Sequence, residues 1–246
     1  MPFLSLVILA STVFCVVHAA RTGRFWPWGY VVIFLPGFGA AAYFLFEILP
    51  QWRHDPKARR AQAQLVQAID PGRRYRALRD ELDFTDTIGN RANLAEECLA
   101  LSKYDEALDL YEGIIKLPQG DEPVYFLGKA KAQFGLNQPQ AAVATLDGLK
   151  TQWPNFRSQD GHLLYARSLE AADRLDEALT EYVSLSAYFA GAEARVRQML
   201  LLDRMGRTDE ARQIAEEVVK QFKRSPNFAR KQQAEWLSRA NAYLKG

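Results

Sequence analysis

Cysteine, histidine and methionine are scarce: two, three and three residues in a chain of 246. Cys15 lies in an apolar run and Cys98 in a helical pattern. Neither a disulfide framework nor a thiolate metal site is expected, and a reducing compartment fits. The chain has no metal-ligand spacing, no glycine-rich phosphate loop and no Cys–His or Ser–His–Asp arrangement, so no metal, cofactor or catalytic set is expected. A surplus of one charge is also missing. Lys and Arg number 31 against 29 Asp and Glu, and no charged tail occurs, which leaves nucleic acid out of the expected partners. At 48% hydrophobic and 24% charged, the composition is globular rather than disordered.

Charge is nearly absent from residues 1–50, which carry only Arg21, Arg24 and Glu47. Pro2 to Ala20 and Phe25 to Phe46 are uncharged apart from His18. As continuous helices they reach roughly 28 and 33 Å, about the thickness of a bilayer core. The expectation is a transmembrane helical hairpin over residues 1–50, with spans at about 3–20 and 25–49 joined by a tight turn, so that the lipid bilayer is a partner. Ser11, Cys15 and Ala19, and Gly37 and Ala41, recur every fourth position and suit close helix contact. A signal peptide followed by one anchor is the competing reading, but Met1 to Ala10 has no positive charge.

Residues 51–86 read as a basic helical linker, with Arg53, Lys57, Arg59 and Arg60 as membrane-surface candidates. These four basic groups, against Arg21 and Arg24 in the turn, place the remainder of the chain on the cytoplasmic side of an inner or plasma membrane. Trp28, Pro36-Gly37-Phe38-Gly39 and Tyr43 resemble the N-terminal membrane hairpin of cardiolipin synthases and related phospholipase D-type proteins. The resemblance implies a membrane module without lipid chemistry. The catalytic His-x-Lys of those enzymes is absent, since His18, His54 and His162 are followed at the second position by Ala20, Pro56 and Leu164.

The strongest signal is internal repetition. Asp-Glu-Ala occurs at 105–107, 176–178 and 209–211, each preceded two positions back by Lys103, Arg174 or Arg207. Gln138-Pro139-Gln140-Ala141 takes the matching place between them. The acidic pair suits the first turn of a helix, where the helix dipole favours negative charge. Alanine suits close packing, and a larger group such as Tyr111 or Tyr182 follows four residues on. Pro118, Pro154 and Pro226 close units.

This pattern, from about Ile88 to Lys223, resembles the tetratricopeptide repeat family. It implies an all-α fold: a solenoid of four helix pairs over residues 87–228, capped by a helix over 229–246 with Trp236, Ala240 and Tyr243 as its apolar stripe. The resemblance further implies another protein or a peptide segment as partner, in a groove lined by the first helix of each pair. Asn93, Glu96, Lys131, Arg167 and Arg197 are the groove candidates, and His162 begins a first helix. The expected function is therefore that of a membrane-anchored scaffold serving an envelope or membrane complex. A periplasmic chaperone-like protein on one anchor and an accessory factor in lipid metabolism are the alternatives.

Overall fold

The computed structural model describes residues 2–23, 25–35, 37–48, 70–189 and 191–246. The chain divides into two units, Met1–Pro71 and Gly72–Gly246. Every regular element among the described residues is helical.

In the first unit, α1 (Pro2–Arg21) packs against α2 (Phe25–Phe34) and α3 (Phe38–Tyr43), and a π-helical turn follows at Phe44–Ile48. Small residues make the contact, as expected, but with a different partner set. Cys15 and Ala19 of α1 are buried against Val32, Ala40 and Tyr43, whereas Ala41 is exposed. The conspicuous motif of this segment has a packing role. The Trp28 and Tyr43 rings meet edge to face at 5.5 Å, and the indole N–H donates to Glu47 at 3.1 Å. Gly37 adopts φ +90, a left-handed conformation that interrupts the second apolar run. Phe14, Trp26, Phe34, Phe38 and Phe46 remain exposed.

The expected two-span membrane hairpin is corrected here. Among the described residues no helix is long and apolar enough to cross a membrane. The second run is not one helix. Trp26 is extended within α2, and the break before α3 leaves pieces of ten and six residues, or about 15 and 9 Å against a bilayer core of about 30 Å. In α1, His18 and Arg21 occupy the last turn, so its apolar length from Pro2 to Val17 is about 24 Å. Membrane localisation, the cytoplasmic placement that rested on flanking charges, and the bilayer as partner lose their basis together. Arg53, Lys57, Arg59 and Arg60 lie outside the described residues.

The second unit opens with α4 (Arg73–Phe84), within the segment expected to be a linker. Its Tyr75, Leu78 and Leu82 pack on Leu94, Cys98 and Ala107. Four helix pairs follow: α5 (Ile88–Ala100) with α6 (Tyr104–Ile115), α7 (Pro123–Gly135) with α8 (Pro139–Gln152), α9 (Gln159–Ala171) with α10 (Leu175–Ser186), and α11 (Glu193–Arg204) with α12 (Thr208–Lys223). Local chemistry starts the first helices. Thr87 and Ser158 are N-caps whose hydroxyls accept from the N–H of Asn90 and Gly161 at 3.2 and 3.0 Å, and Pro123 occupies the first turn of α7.

Each first helix ends in the same way. Ser102, Asn137, Asp173 and Gly206 have φ between 58 and 77. The next N–H reaches back to Cys98, Gln133, Leu169 or Leu202 at 2.8–3.0 Å, closing a left-handed helix stop. Five residues beyond each stop is an alanine of zero exposure: Ala107, Ala142, Ala178 and Ala211. In the second pair the contact therefore lies one residue beyond its expected place, because Ala141 is only half-buried while Ala142 carries the contact. The basic residue ahead of each acidic pair also has a role. Arg174 grips Glu177 with two bonds of 2.7 and 2.5 Å, Arg207 grips Glu210 with two of 2.7 Å, and Lys103 faces Glu106 at 3.8 Å.

Successive pairs stack through the core. Tyr111 and Tyr182, four residues after their alanines, are buried, as are Leu146 and Ala215 at the equivalent places. Gly128 of α7 is where neighbouring pairs approach most closely, since a Cβ there would lie 2.2 Å from the Tyr111 ring. The expected capping helix is broken in two, α13 (Asn227–Gln232) and α14 (Ala234–Tyr243), by Gln233, whose side-chain oxygen accepts from the Ala192 N–H at 3.0 Å. Its apolar stripe still covers the last pair, with Ala240 buried and Trp236 and Tyr243 packed on α11 and α12.

Gly128→Ala forces the buried Tyr111 ring to move, at about 1–3 kcal/mol. Urea unfolding is expected to show a lower midpoint at unchanged slope, and an unchanged midpoint would contradict the close approach. Ser102→Gly relieves a left-handed side chain that costs about 1–2 kcal/mol, offset by about 0.5–1 kcal/mol of glycine entropy. A small rise in melting temperature is expected, and a fall would show that the serine is not left-handed in solution.

Candidate functional site

The first helices α5, α7, α9 and α11 carry the five groove candidates, and the structure separates them into two groups. Asn93 and Glu96 on α5 and Lys131 on α7 are exposed, with no hydrogen bond or ion pair among the described residues. Arg167 on α9 and Arg197 on α11 are half-buried neighbours. Each lies over an aromatic ring. Arg167 is 4.9 Å from the Phe134 centroid, and Arg197 is 4.9 Å from that of Trp236. Such placement holds a guanidinium through its face and leaves its edge N–H groups available.

The two arginines differ in their compensation. Arg197 donates to Glu193 at 2.8 Å. Among the described residues, Arg167 has no hydrogen bond or ion pair. The nearby Glu170 accepts instead from the Tyr182 hydroxyl at 2.7 Å. Burial pushes the Arg167 guanidinium below its ordinary value, and the Arg197 charge adds to that effect. Glu193 and Glu170 offset this only in part and without a direct bond, so an incoming carboxylate would favour the cation further. Phe134 and Trp236, which orient the pair, fall outside the expected groove set: Trp236 is read only as part of the cap's apolar stripe, and Phe134 has no aromatic counterpart in the other first helices, where Leu99, Glu170 and Asp203 stand.

A second feature lies where α8 meets α9 and α10. It is a cavity of about 530 Å³ floored by Leu127, Leu146, Leu149 and Phe156. His162, expected at a helix start, sits in the first turn of α9 and lines this cavity. Its Nε2 is 2.6 Å from the Glu181 carboxylate, and its Nδ1 meets the Tyr188 hydroxyl. With the carboxylate accepting from Nε2–H, Nδ1 is left to accept from the tyrosine. Lys150 also binds Glu181 at 3.1 Å and lies 4.4 Å from the centre of the Tyr165 ring, whose hydroxyl donates to Asp147 at 2.5 Å. The His162 bond, and then Lys150, hold the Glu181 carboxyl below its ordinary value, against the opposing effect of burial.

The cysteines play no part in either feature. Cys15 and Cys98 are both buried, and burial pushes the Cys98 thiol up to about 11. Among the described residues no three His, Cys, Asp or Glu side chains are grouped to hold a metal ion.

Residues 193–225, the α11–α12 pair, match the tetratricopeptide repeat family. The match leaves the Trp28-to-Tyr43 motif, and its likeness to phospholipase D-type hairpins, without support. No curated protein matches the chain in sequence. Among solved structures, TTC0263, a thermophilic TPR protein of Thermus thermophilus, is 18% identical over 74% of this chain and 95% of that one, at a TM-score of 0.54. MamA (residue 41 to its end) from Desulfovibrio magneticus RS-1 is 15% identical over 67% and 93%, at 0.53. YrrB, described as a TPR protein with an unusual peptide-binding site, is 15% identical over 71% and 90%, at 0.50. At these identities the likeness establishes the fold: a tetratricopeptide-type solenoid.

Glu181 has a pH signature. Its folded-state carboxyl titrates below the ordinary 4.5, so its contribution to stability is present above that value and is lost as pH falls through the lower, folded value. Glu181→Gln is expected to lower the melting temperature near neutral pH, with the deficit shrinking below about pH 4.3. A deficit equally large at pH 3 would contradict the assigned pairing.

Proposed function

We propose that the chain is a scaffold that binds an acidic peptide segment of a partner protein across its first helices, with Arg167 and Arg197 as the anion-recognising pair. The observation that carries this reading is Arg167, a half-buried guanidinium fixed over Phe134 that makes no direct hydrogen bond or ion pair among the described residues, although Glu193 and Glu170 lie near enough to favour its charge. A carboxylate delivered by a partner would form charge-assisted bonds to a pre-oriented group. Lys131, exposed on α7, extends the basic side of the path, and Asn93 offers an amide on α5. Glu96, also exposed on α5, disfavours acidic residues at that end and so gives the segment a direction.

The test is fluorescence anisotropy with fluorescein-labelled ten-residue peptides of acidic, neutral and basic composition. Acidic peptides are expected to bind best, and Arg167→Glu to weaken them at least tenfold without changing the circular dichroism or the melting profile. Equal binding of all three compositions, or binding indifferent to Arg167→Glu, would reject the reading.

A further inference from the structure

We infer that the cavity between α8, α9 and α10 is a binding site for a small amphipathic anion, an apolar body carrying one carboxylate. Its shape and chemistry are separate from those of the arginine pair. The floor is aliphatic and aromatic, formed by Leu127, Leu146, Leu149 and Phe156. Its volume of about 530 Å³ is within the 300–1,000 Å³ usual for pockets that enclose small molecules. It is also larger than one side chain of a docked peptide fills, which favours a small molecule.

Polar groups are confined to the remaining lining, and they carry more positive than negative charge. Glu181 is the single acid, and it is already bound by His162 and Lys150. Arg157 is exposed, and its only recorded bond is from Nη1 to the Pro154 carbonyl at 2.8 Å, which leaves its charge without an acidic partner among the described residues. A ligand carboxylate beside Arg157 therefore meets an available cation, with Lys150 adding to the positive field. The Glu181–His162–Tyr188 chain holds the Tyr188 ring beside the same cavity, its centroid 5.8 Å from that of His162. Tyr188 is half exposed, and its ring borders the cavity.

The probes are decanoate, decanol and a diazirine-bearing decanoate, each used with the full chain below its micelle-forming concentration. Calorimetry is expected to show one decanoate per chain, decanol at least tenfold weaker, and Arg157→Glu weakening decanoate at least tenfold with an unchanged melting profile. Photolabel is expected on peptides spanning 146–165 and is expected to be lost in Arg157→Glu. Label spread over the exposed apolar residues of the first unit, or equal binding of decanoate and decanol, would overturn the proposal. So would loss of labelled acidic peptides, rather than decanoate, in Arg157→Glu, because the cavity would then belong to a peptide partner. Arg167→Glu should leave decanoate binding intact, which separates failure of this site from failure of the scaffold reading.

Discussion

One short turn governs the second unit. In each pair the chain leaves the first helix through a single left-handed residue, and five residues later a fully buried alanine meets that helix. The turn fixes the direction of return, and the alanine fixes how near the return passes. With both constant, the four pairs have the same shape, and equal shapes can stack. The spacing between stops varies, at 35, 36 and 33 residues, yet the interval from stop to alanine does not. Length variation falls mainly in the second helices, with 12, 14 and 12 residues in α6, α8 and α10, rather than in the turn within a pair.

The arginine pair follows from the stacking. First helices of successive pairs are neighbours, so a side chain on α9 can rest on a ring from α7, and one on α11 on a ring from the cap. Arg167 and Arg197 become a pair only because the pairs are in register. The cavity has the opposite origin, in a place where stacking is incomplete. The connection from α8 to α9 packs Phe156 on the core and leaves Arg157 exposed, and the space between is lined by Leu127, Leu146, Leu149 and Phe156. The regular part of the repeat thus positions the arginine pair, and its irregular part leaves the cavity.

Much of the fold is legible in sequence because its determinants are local. Asp-Glu-Ala marks a helix start by charge and a contact by size, and its recurrence reveals the repeat without reference to distant residues. The one-residue slip at Ala141 has a local cause: Gln140 and Ala141 stand where the other units carry the acidic pair, which removes the marker that sets the register. The break at Gln233 has a tertiary cause, a side chain capping a distant backbone N–H, that no local pattern announces. The two long uncharged runs resemble spans only when length is counted along a continuous helix, whereas Trp26 and Gly37 divide the second. That Arg167 and Arg197 lie on first helices is legible from the register, but their aromatic supports are not. The cavity is invisible for a related reason: His162, Glu181 and Tyr188 lie on two different helices and in the loop beyond α10, and nothing in the sequence relates them.

Backbone amide hydrogen exchange on the full chain, read by mass spectrometry, addresses the repeated turn most directly. Protection should rise and fall four times between residues 88 and 223, with fast exchange centred on the connections between pairs. The N–H groups of Lys103, Gln138, Arg174 and Arg207, which close the left-handed stops, should be slow. Protection that shows no such alternation, or rapid exchange at those four amides, would contradict the account.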